Sequence, residues 1–415
     1  MKKIELKKDL GPIVFLGSMN AMPMMYAIEL KKIGFDVLYF VDVPREDKLS
    51  RPEHHFIDIK YPYPDWIIEI KLKTQILLPF SRRFFLKVIL NKIKEKTDKE
   101  PQLFFLNGFF ISLSPFIRNS RVLALSHGSD LNMWADIDEK KQLANTFKSF
   151  SIFKFTPNFI AKKIIPMIVD RQYLGFLKSD LIVYFPKGFH QRGDDILEKL
   201  EKSGKKIYRR YDISFEPLKN EKRDFKKRTN KLVILSAVRF TYEKFVNNSE
   251  NCSKGNDLII KGLALYYKEN KNIEIHFVEK GRDVNSAKKL CIELGLAPVI
   301  QWHKEMEFYK LLNLYRESDI CFDQLGDHWI GAIGAYAMYL GKPLIANDQA
   351  QIKTGLWPEI NPVLSAKNEF EVCASLKYLE SEANREETSL ASKVFSEQYF
   401  SPYKFINDVF IFDLS

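Results

Sequence analysis

Short apolar runs alternate along this chain with longer segments in which apolar residues recur at helical spacing. Buried strands and amphipathic helices produce these two patterns, so their alternation predicts parallel sheets covered by helices. In the first half it predicts strands at 12–16, 35–41, 103–106, 122–125 and 181–184 and a helix at 21–33. In the second half it predicts strands at 231–238, 273–278, 299–302, 320–323 and 343–346 and helices at 255–267, 285–294, 305–316 and 333–340.

An almost wholly polar segment, residues 216–231, separates the two halves. A chain of 415 residues is too long for one ordinary core, so we interpret this segment as a linker rather than as a surface loop within one domain. We predict two Rossmann-like doubly wound domains, 1–220 and 221–390, facing each other across a cleft. A C-terminal helix within 391–415 is expected to pack back on the first domain. Ligands of such sheets bind outside the carboxyl ends of the strands, so the cleft is the expected site.

The composition narrows the classes of partner. The chain carries 64 Lys and Arg against 53 Asp and Glu, a net charge of +11, which favours an anionic partner. It has neither a zinc-finger spacing nor an RNA-binding aromatic signature, so we expect no nucleic acid partner. The four cysteines form no metal-ligand spacing and indicate a reducing compartment. No export signal or membrane-spanning run is evident, so we expect a cytoplasmic protein, with a possible peripheral position on the inner face of the cell membrane.

Two cations in the second half are placed to hold a diphosphate. Arg239 directly follows a predicted strand, and Lys254 with Gly255 begins the next helix. A guanidinium fork, an ammonium and the N–H groups of a helix N-terminus together suit a phosphate pair. The alternative is that both are ordinary surface cations.

Glycine-containing loops follow other strands. Gly331 and Gly334 open a predicted helix, where glycine lets the backbone approach a phosphate or a sugar, although helix packing also explains such residues. Neither this spacing nor the loop at Gly17 is the dinucleotide fingerprint, which disfavours a nicotinamide enzyme.

Residues 232–348 resemble the donor-binding half of glycosyltransferase family 4, a family with the two-domain GT-B fold. The resemblance rests on four matches in order: Arg239 after the first strand; Lys254-Gly255 with Leu258-Ile259; Glu279-Lys280-Gly281; and Ala337-Met338 with Gly341-Lys342-Pro343-Leu344-Ile345-Ala346. It implies that Arg239 and Lys254 hold the donor pyrophosphate. It also places Trp302 to Lys304, and with them His303, beside the base, and lets the loop at Gly331 close over the phosphates.

The chain departs from this family at two positions. The family usually has two glutamates eight residues apart, near the donor sugar and the ribose, and here His328 and Tyr336 occupy those positions. Neither accepts two hydroxyl hydrogen bonds as a carboxylate does. We therefore name Asp323 and His328 as candidate catalytic residues, with Asp323 or Asp327 taking over the sugar contact.

In the first half, His127-Gly128-Ser129-Asp130 follows a strand and resembles a sequence often found there in these transferases. A histidine at the carboxyl end of a strand can donate to sugar hydroxyls or transfer a proton near neutral pH, so His127 is a candidate catalytic residue. The alternative is a capping histidine with Asp130 starting a turn. The loop that contains Gly17 and Ser18 is expected to face the donor phosphates or the acceptor.

Residues 71–96 are basic and aromatic, with Arg83, Lys87 and Lys94 on one stripe of a predicted helix. This segment suits a membrane interface, with residues 147–178 extending the same surface, but a core helix with a solvated basic face fits equally.

The function predicted from these features is metal-independent transfer of a sugar from a nucleotide diphosphate donor to a glycan or lipid-linked acceptor, with no cofactor. Bacterial surface polysaccharide synthesis is the expected setting. The family implies retention of the anomeric configuration. The alternatives are a sugar-nucleotide epimerase of the same fold, and a degenerate transferase-like protein that binds a glycan or a partner.

Overall fold

The structure, a computed structural model, describes residues 3–56, 58–72, 75–147, 153–213, 218, 230–243, 253–306, 308–326 and 329–413. The chain divides into two units, one formed by Met1–Asp212 with Pro402–Ser415 and the other by Ile213–Ser401. The sequence-based boundaries were 220/221 and 390/391. Most of the expected linker, residues 216–231, lies outside the described residues.

The first unit is built on parallel strands. Over its described residues, one sheet has the order β4-β3-β2-β5-β6-β7-β8. Its strands are β2 (Ile13–Leu16), β3 (Val37–Val41), β4 (Ile67–Glu69), β5 (Leu103–Leu106), β6 (Arg121–Leu125), β7 (Leu181–Tyr184) and β8 (Lys206–Arg209). Strands β2, β3 and β5 are buried along their whole length, since helices and loops cover both faces of the sheet.

Helices of the first unit connect these strands. They are α1 (Pro23–Ile33), α2 (Arg82–Lys94), α3 (Ser129–Asn132), α4 (Lys140–Asn145), α5 (Asn158–Lys178) and α6 (Gln191–Lys202). Helix α1 begins at a proline, which suits the first helical position, and ends at Gly34 in the left-handed conformation (φ +102°). The sequence placed this helix two residues earlier, at 21–33.

The C-terminal segment returns to the first unit. Helix α14 (Pro402–Val409) packs against α1, and strand β15 (Phe410–Asp413) pairs in parallel with β1 (Ile4–Lys7). Helix α13 (Glu382–Phe400), in contrast, packs on a helix of the second unit. A helix within 391–415, α14, thus packs on the first unit, and the unit boundary falls at 401/402 where the sequence placed it at 390/391.

The second unit repeats the architecture. Its described sheet is parallel with the order β11-β10-β9-β12-β13-β14. The strands are β9 (Leu232–Ser236), β10 (Ile273–Glu279), β11 (Ile300–Lys304), β12 (Ile320–Phe322), β13 (Leu344–Ala346) and β14 (Leu364–Ser365). Before α13 come α7 (Asn256–Glu269), α8 (Val284–Glu293), α9 (Phe308–Glu317), α10 (Ala332–Tyr339), α11 (Gln349–Lys353) and α12 (Glu369–Tyr378).

Both sheets confirm the predicted doubly wound α/β class. In each, the strand order reverses at one point, between β2 and β5 in the first unit and between β9 and β12 in the second. Ligands of doubly wound sheets bind outside the carboxyl ends of the strands at this reversal. We therefore expect a binding site in the loops that follow these four strands. No helix within the described ranges is both long and apolar enough to cross a membrane.

Candidate functional site

In the second unit, the loops after β9 and β12 meet backbone to backbone. The Leu325 amide donates to the Lys254 carbonyl at 3.0 Å. Gly255 has φ +66°, and a Cβ there would lie 2.9 Å from the Gly326 nitrogen, while a Cβ on Gly326 would lie 1.8 Å from the Ser253 carbonyl oxygen. Glycine is therefore required on both sides of this contact, which fixes the start of α7 against the loop after β12.

Arg239 stands at the carboxyl end of the same sheet. Its side chain is exposed and has no hydrogen-bond or ion-pair partner among the described residues. Gly281 lies beside its stem, since a Cβ on Gly281 (φ +114°) would fall 2.9 Å from the Arg239 Cγ. The guanidinium is thus supported along its stem and open at its charged end, as an anion-binding arginine requires.

Lys254 belongs to a polar network at the point where the strand order reverses. Its ammonium donates to the Gln324 Oε1, and the side-chain nitrogen of Gln324, Nε2, donates to the Trp329 carbonyl. Asn347 adds a further link, since its side-chain amide donates to the carbonyl of Leu325 at 3.3 Å. The network holds the ammonium at the carboxyl end of β12 and near the start of α7.

Asp323 is a capping residue in this structure. Its Oδ2 accepts from the amides of Gly331 at 2.8 Å and Gly334 at 3.1 Å, and its Oδ1 accepts from the Gln324 amide at 2.7 Å. The side chain is buried, and burial raises the pKa of its carboxyl. These amides occupy the carboxylate at the N-terminus of α10, so Asp323 has a structural role there, and its contact with a sugar stays a prediction.

The two helix N-termini at this edge therefore differ. At the N-terminus of α10, the carboxylate of Asp323 accepts hydrogen bonds from the free backbone amides. One of them is the amide of Gly331, where the backbone was expected to approach the phosphates. Helix α7 begins after Gly255 with no side-chain cap hydrogen bond. Since the positive end of a helix attracts anions, the uncapped end of α7, beside Lys254, is the better place for a phosphate.

Glu279 ends β10 between two lysines. It pairs with Lys288 at 2.7 Å and with Lys304 at 2.8 Å, and hydrogen bonds to these two ammonium groups lower the pKa of its carboxyl. The carboxylate predicted to contact the donor is thus already balanced by two charges.

His303, the penultimate residue of β11, belongs to a short series of hydrogen-bonded titratable groups. Its Nε2 lies 2.8 Å from the Nδ1 of His276, whose Nε2 lies 3.0 Å from the Oε1 of Glu274. Burial and then the neighbouring His276 lower the pKa of His303. With a carboxylate accepting at one end, the series of bonds leaves the His303 Nδ1 as an acceptor.

Of the two positions that carry glutamates in the resembled family, only Tyr336 lies among the described residues. Tyr336 packs its ring against Phe308, with centroids 4.9 Å apart, and burial raises the pKa of its hydroxyl to about 12. His328 and Asp327 lie outside the described residues.

In the first unit, the loop after β2 is held from two sides. Gly17 has φ +94°, and a Cβ there would lie 2.6 Å from the Asn107 carbonyl oxygen. The buried Ser18 hydroxyl donates to the Asp42 Oδ1 at 3.0 Å. Asn20 and Ala21 both have positive φ, 55° and 54°, which is strained backbone of the kind found at functional loops.

Asn107, which follows β5, links this loop to the histidine after β6. Its Oδ1 accepts from the Met19 amide at 3.1 Å, and its Nδ2 donates to the Leu125 carbonyl at 2.7 Å and to the Nδ1 of His127. A side-chain amide nitrogen only donates, so the Nδ1 of His127 must accept. The ring proton of neutral His127 is therefore on Nε2.

The environment of His127 keeps it neutral. Burial, and then the positive charge of Arg210, hold the pKa of His127 well below its usual range. Its Nε2 is buried and has no hydrogen-bond partner among the described residues. His127 can thus donate a hydrogen bond to an oxygen, but in this tautomer it cannot accept a proton at Nε2.

Asp130 stabilises the turn that presents His127. Its Oδ1 accepts from the Ser126 hydroxyl at 2.7 Å and from the His127 amide at 3.1 Å. The alternative from the sequence, a capping histidine with Asp130 starting a turn, agrees with the turn, but here the Asp130 carboxylate is the acceptor. Asn107, Gln324 and Arg210 were all missed, because each is a single polar residue with no spacing to mark it; the only signal was its place just after a strand.

Together, the two Rossmann-like units define a protein of the GT-B fold class. Neither a protein-family model nor a curated protein matches the chain. Its structural neighbours include sucrose-phosphate synthase from Thermosynechococcus elongatus, 12% identical with a TM-score of 0.54 over 96% of this chain and 97% of that one. They also include the Anabaena protein HepE in complex with UDP and glucose, which is 11% identical with a TM-score of 0.52 over 96% of this chain and 98% of that one. A structure described as a UDP-N-acetylglucosamine 2-epimerase from Listeria monocytogenes is 12% identical, with a TM-score of 0.52 over 95% of this chain and 94% of that one. These similarities show the fold.

Proposed function

We propose that this protein is a glycosyltransferase that moves a sugar from a nucleotide diphosphate donor, bound by the second unit, to an acceptor bound by the first. The observation that carries the proposal is the exposed guanidinium of Arg239, which has no partner among the described residues, at the same sheet edge as Lys254 and the N-terminus of α7, which has no side-chain cap. Two cations and a helix N-terminus at one sheet edge suit a diphosphate. The HepE structure, which contains UDP and glucose, has the same fold.

Each part of this arrangement has a chemical role. As the bond to the sugar breaks, negative charge grows on the departing diphosphate. Arg239, Lys254 and the end of α7 stabilise that charge without a metal ion. Such preorganised donors act mainly in the transition state, so their loss lowers the rate of transfer more than donor binding alone suggests.

The acceptor hydroxyl must lose a proton during transfer. His127 is a donor at Nε2, and the carboxylates of Asp323 and Glu279 are already occupied by amides and by lysines. We therefore propose that an oxygen of the departing diphosphate accepts the proton on the face from which it leaves. Attack on that face retains the anomeric configuration, whereas inversion needs a base on the opposite face.

The second candidate is a sugar-nucleotide epimerase, favoured by the neighbour from Listeria monocytogenes. An epimerase changes the configuration of the sugar and needs acid and base groups at the sugar itself. The carboxylates of Asp323 and Glu279, at the same sheet edge as Arg239, have structural partners instead. The third candidate is a degenerate transferase-like protein that only binds. It is supported by Tyr336, which stands where the family has a glutamate and packs on Phe308.

Phosphorus and proton NMR of the protein with a panel of nucleotide diphosphate sugars separates these candidates. A transferase releases the nucleoside diphosphate, and the sugar appears on an acceptor or, more slowly, on water. An epimerase leaves the diphosphate intact while the sugar signals change to those of an epimer. A binding protein perturbs the signals of one donor and converts none.

A further inference from the structure

Arg210 is buried in the first unit directly after β8. Its side chain is 1% exposed, and its Nη1 donates to the Oδ1 of Asp212 at 2.9 Å. Its Nε and Nη2 are buried and have no hydrogen-bond partner among the described residues. Buried charged donors without partners are rare and costly. We therefore expect a bound group to accept hydrogen bonds from these two nitrogens.

The two unpartnered nitrogens form one complete edge of the guanidinium. The Nε–H and one Nη2–H of an arginine point in the same direction and are spaced to bind two oxygens of one carboxylate or phosphate. The Asp212 contact uses the other terminal nitrogen, and the ring of Phe185 lies 5.1 Å from the guanidinium carbon. Arg210 is therefore held on two sides and keeps its bidentate edge.

His127 brings a third donor to the same sheet edge. Its Nε2–H is also buried without a partner among the described residues. His127 follows β6 and Arg210 follows β8, the strands on either side of β7, and the guanidinium charge lowers the pKa of the ring. The nearby carboxylates are already occupied. Asp212 accepts from Arg210 and from the Tyr26 hydroxyl, and Asp130 accepts from Ser126 and from the His127 amide.

We propose that Arg210 and His127 form a binding site for an anionic group of the acceptor, a phosphate or a carboxylate. The bidentate edge of Arg210 binds two of its oxygens, and His127 donates from Nε2 to an oxygen of the same ligand. The inference rests on the proposed function, because it assigns the acceptor to the first unit. It narrows the acceptor class to sugars or lipid-linked sugars that carry a negative charge.

The test is calorimetric titration of the full chain with glucose 6-phosphate, glucuronate and neutral glucose. The Arg239→Ala protein is the host, so that the donor-phosphate site does not compete. We expect a charged probe to bind and glucose not to bind. Arg210→Gln should weaken that binding about tenfold or more, as loss of charge-assisted hydrogen bonds does. Arg209→Gln is the matched control, because Arg209 is the preceding residue and pairs with Asp194 at 2.6 Å; it should change binding by less than about twofold.

A second measurement on the unaltered protein covers the case in which Arg210→Gln fails to fold. In protein labelled with ¹⁵N-histidine, the His127 Nε2 signal should shift on titration with the charged probe and not with glucose. Binding of glucose 6-phosphate alone would indicate a phosphate acceptor, and binding of glucuronate alone a carboxylate one. Equal binding by the Arg210→Gln and Arg209→Gln proteins, or an unmoved His127 signal, would overturn the proposal.

Failure of this inference is distinguishable from failure of the proposed function. Nucleotide binding through Arg239 is measured separately, on protein with Arg210 intact. If a nucleotide binds and no charged sugar does, the acceptor site is wrong and the transferase proposal stands. If charged sugars bind through Arg210 and no nucleotide binds, the anion site stands and the transferase proposal is wrong.

Discussion

At the scale of single residues, the carboxylate of Asp323 decides what the loop after β12 can do. A family resemblance suggested a residue that contacts a sugar, but its oxygens accept from three backbone amides and it is buried. Capping of this kind depends on a residue 11 positions away, Gly334. No local sequence pattern shows it, because aspartate at the end of a strand is equally common in binding sites.

This role predicts that the two glycines of the loop respond differently to alanine. A Cβ on Gly334 would lie 2.7 Å from the Asp323 Oδ2, whereas on Gly331 its nearest neighbour would be 3.8 Å away. Gly334→Ala should lower the free energy of unfolding by about 1–3 kcal/mol, and Gly331→Ala should change it by less than about 0.5 kcal/mol. Urea denaturation of the two variants measures this. Equal stabilities would contradict the cap.

His127 gives a prediction about pH. Its pKa is well below its usual range in the folded chain, because of burial and of the charge of Arg210. The unfolded chain therefore takes up a proton at His127 near pH 6.5 that the folded chain does not, and stability falls as pH decreases below that value. Relative to His127→Gln, the wild-type protein should lose unfolding free energy between pH 7.5 and pH 5, by at most about 2 kcal/mol, the limit set by protonation of the unfolded chain.

Chemical denaturation of both proteins at each pH measures this difference. Parallel stability curves for the wild type and His127→Gln would mean that the ring takes up its proton in the folded protein as readily as in the unfolded one. The neutral tautomer assigned through Asn107 would then be wrong.

At the scale of elements, the alternation of apolar runs predicted both sheets, since fully buried strands such as β2 and β12 are marked by their composition. The pairing of β15 with β1 was missed. It joins segments some 400 residues apart, Ile4 with Phe410, and pairing at such distance leaves no local pattern. The sequence placed the second boundary at 390/391, inside α13, and the structure places it at 401/402, because an amphipathic face shows that a helix packs, but not on which partner.

The returning helix α14 should stabilise the first unit and not the second. Phe405 is 1% exposed, and its ring centroid lies 4.6 Å from that of Tyr26. Phe405→Ala should therefore cost about 3–5 kcal/mol, and the exposed Lys404→Ala in the same helix less than about 0.5 kcal/mol. Hydrogen exchange should show faster opening of β2 and β5, with β9 and β10 unchanged. Faster exchange in both units, or in neither, would contradict this assignment.

At the scale of the whole molecule, the charge of +11 and a group of exposed aromatic residues suggest a peripheral membrane contact. Phe84 in α2 is 63% exposed and Phe155, before α5, is 91% exposed. The two segments lie together in the first unit, since Ile76, Phe153 and Ala161 share one hydrophobic cluster. Lys residues follow Phe84 and Phe155 in the sequence. The surface formed by these two segments therefore combines exposed aromatic side chains with positive charge.

We therefore expect this surface to bind vesicles of phosphatidylglycerol and phosphatidylcholine. The double variant Phe84→Glu and Phe155→Glu should weaken binding by about tenfold or more, because two apolar anchors are lost and two negative charges are added. Phe370→Glu is the control, since Phe370 is 70% exposed but belongs to the second unit. Vesicle sedimentation measures the effect. An equal loss in the control would attribute binding to net charge alone.

The central claim is that the second unit binds a nucleotide diphosphate through Arg239, and calorimetric titration with a panel of nucleoside diphosphates tests it most directly. Arg316→Ala is the matched control, because Arg316 precedes β12 at the opposite edge of the same sheet. We predict micromolar binding of one nucleotide by the wild-type and Arg316→Ala proteins, weakened about tenfold or more in Arg239→Ala. Absence of binding across the panel by folded protein, or equal binding by Arg239→Ala, would contradict the account.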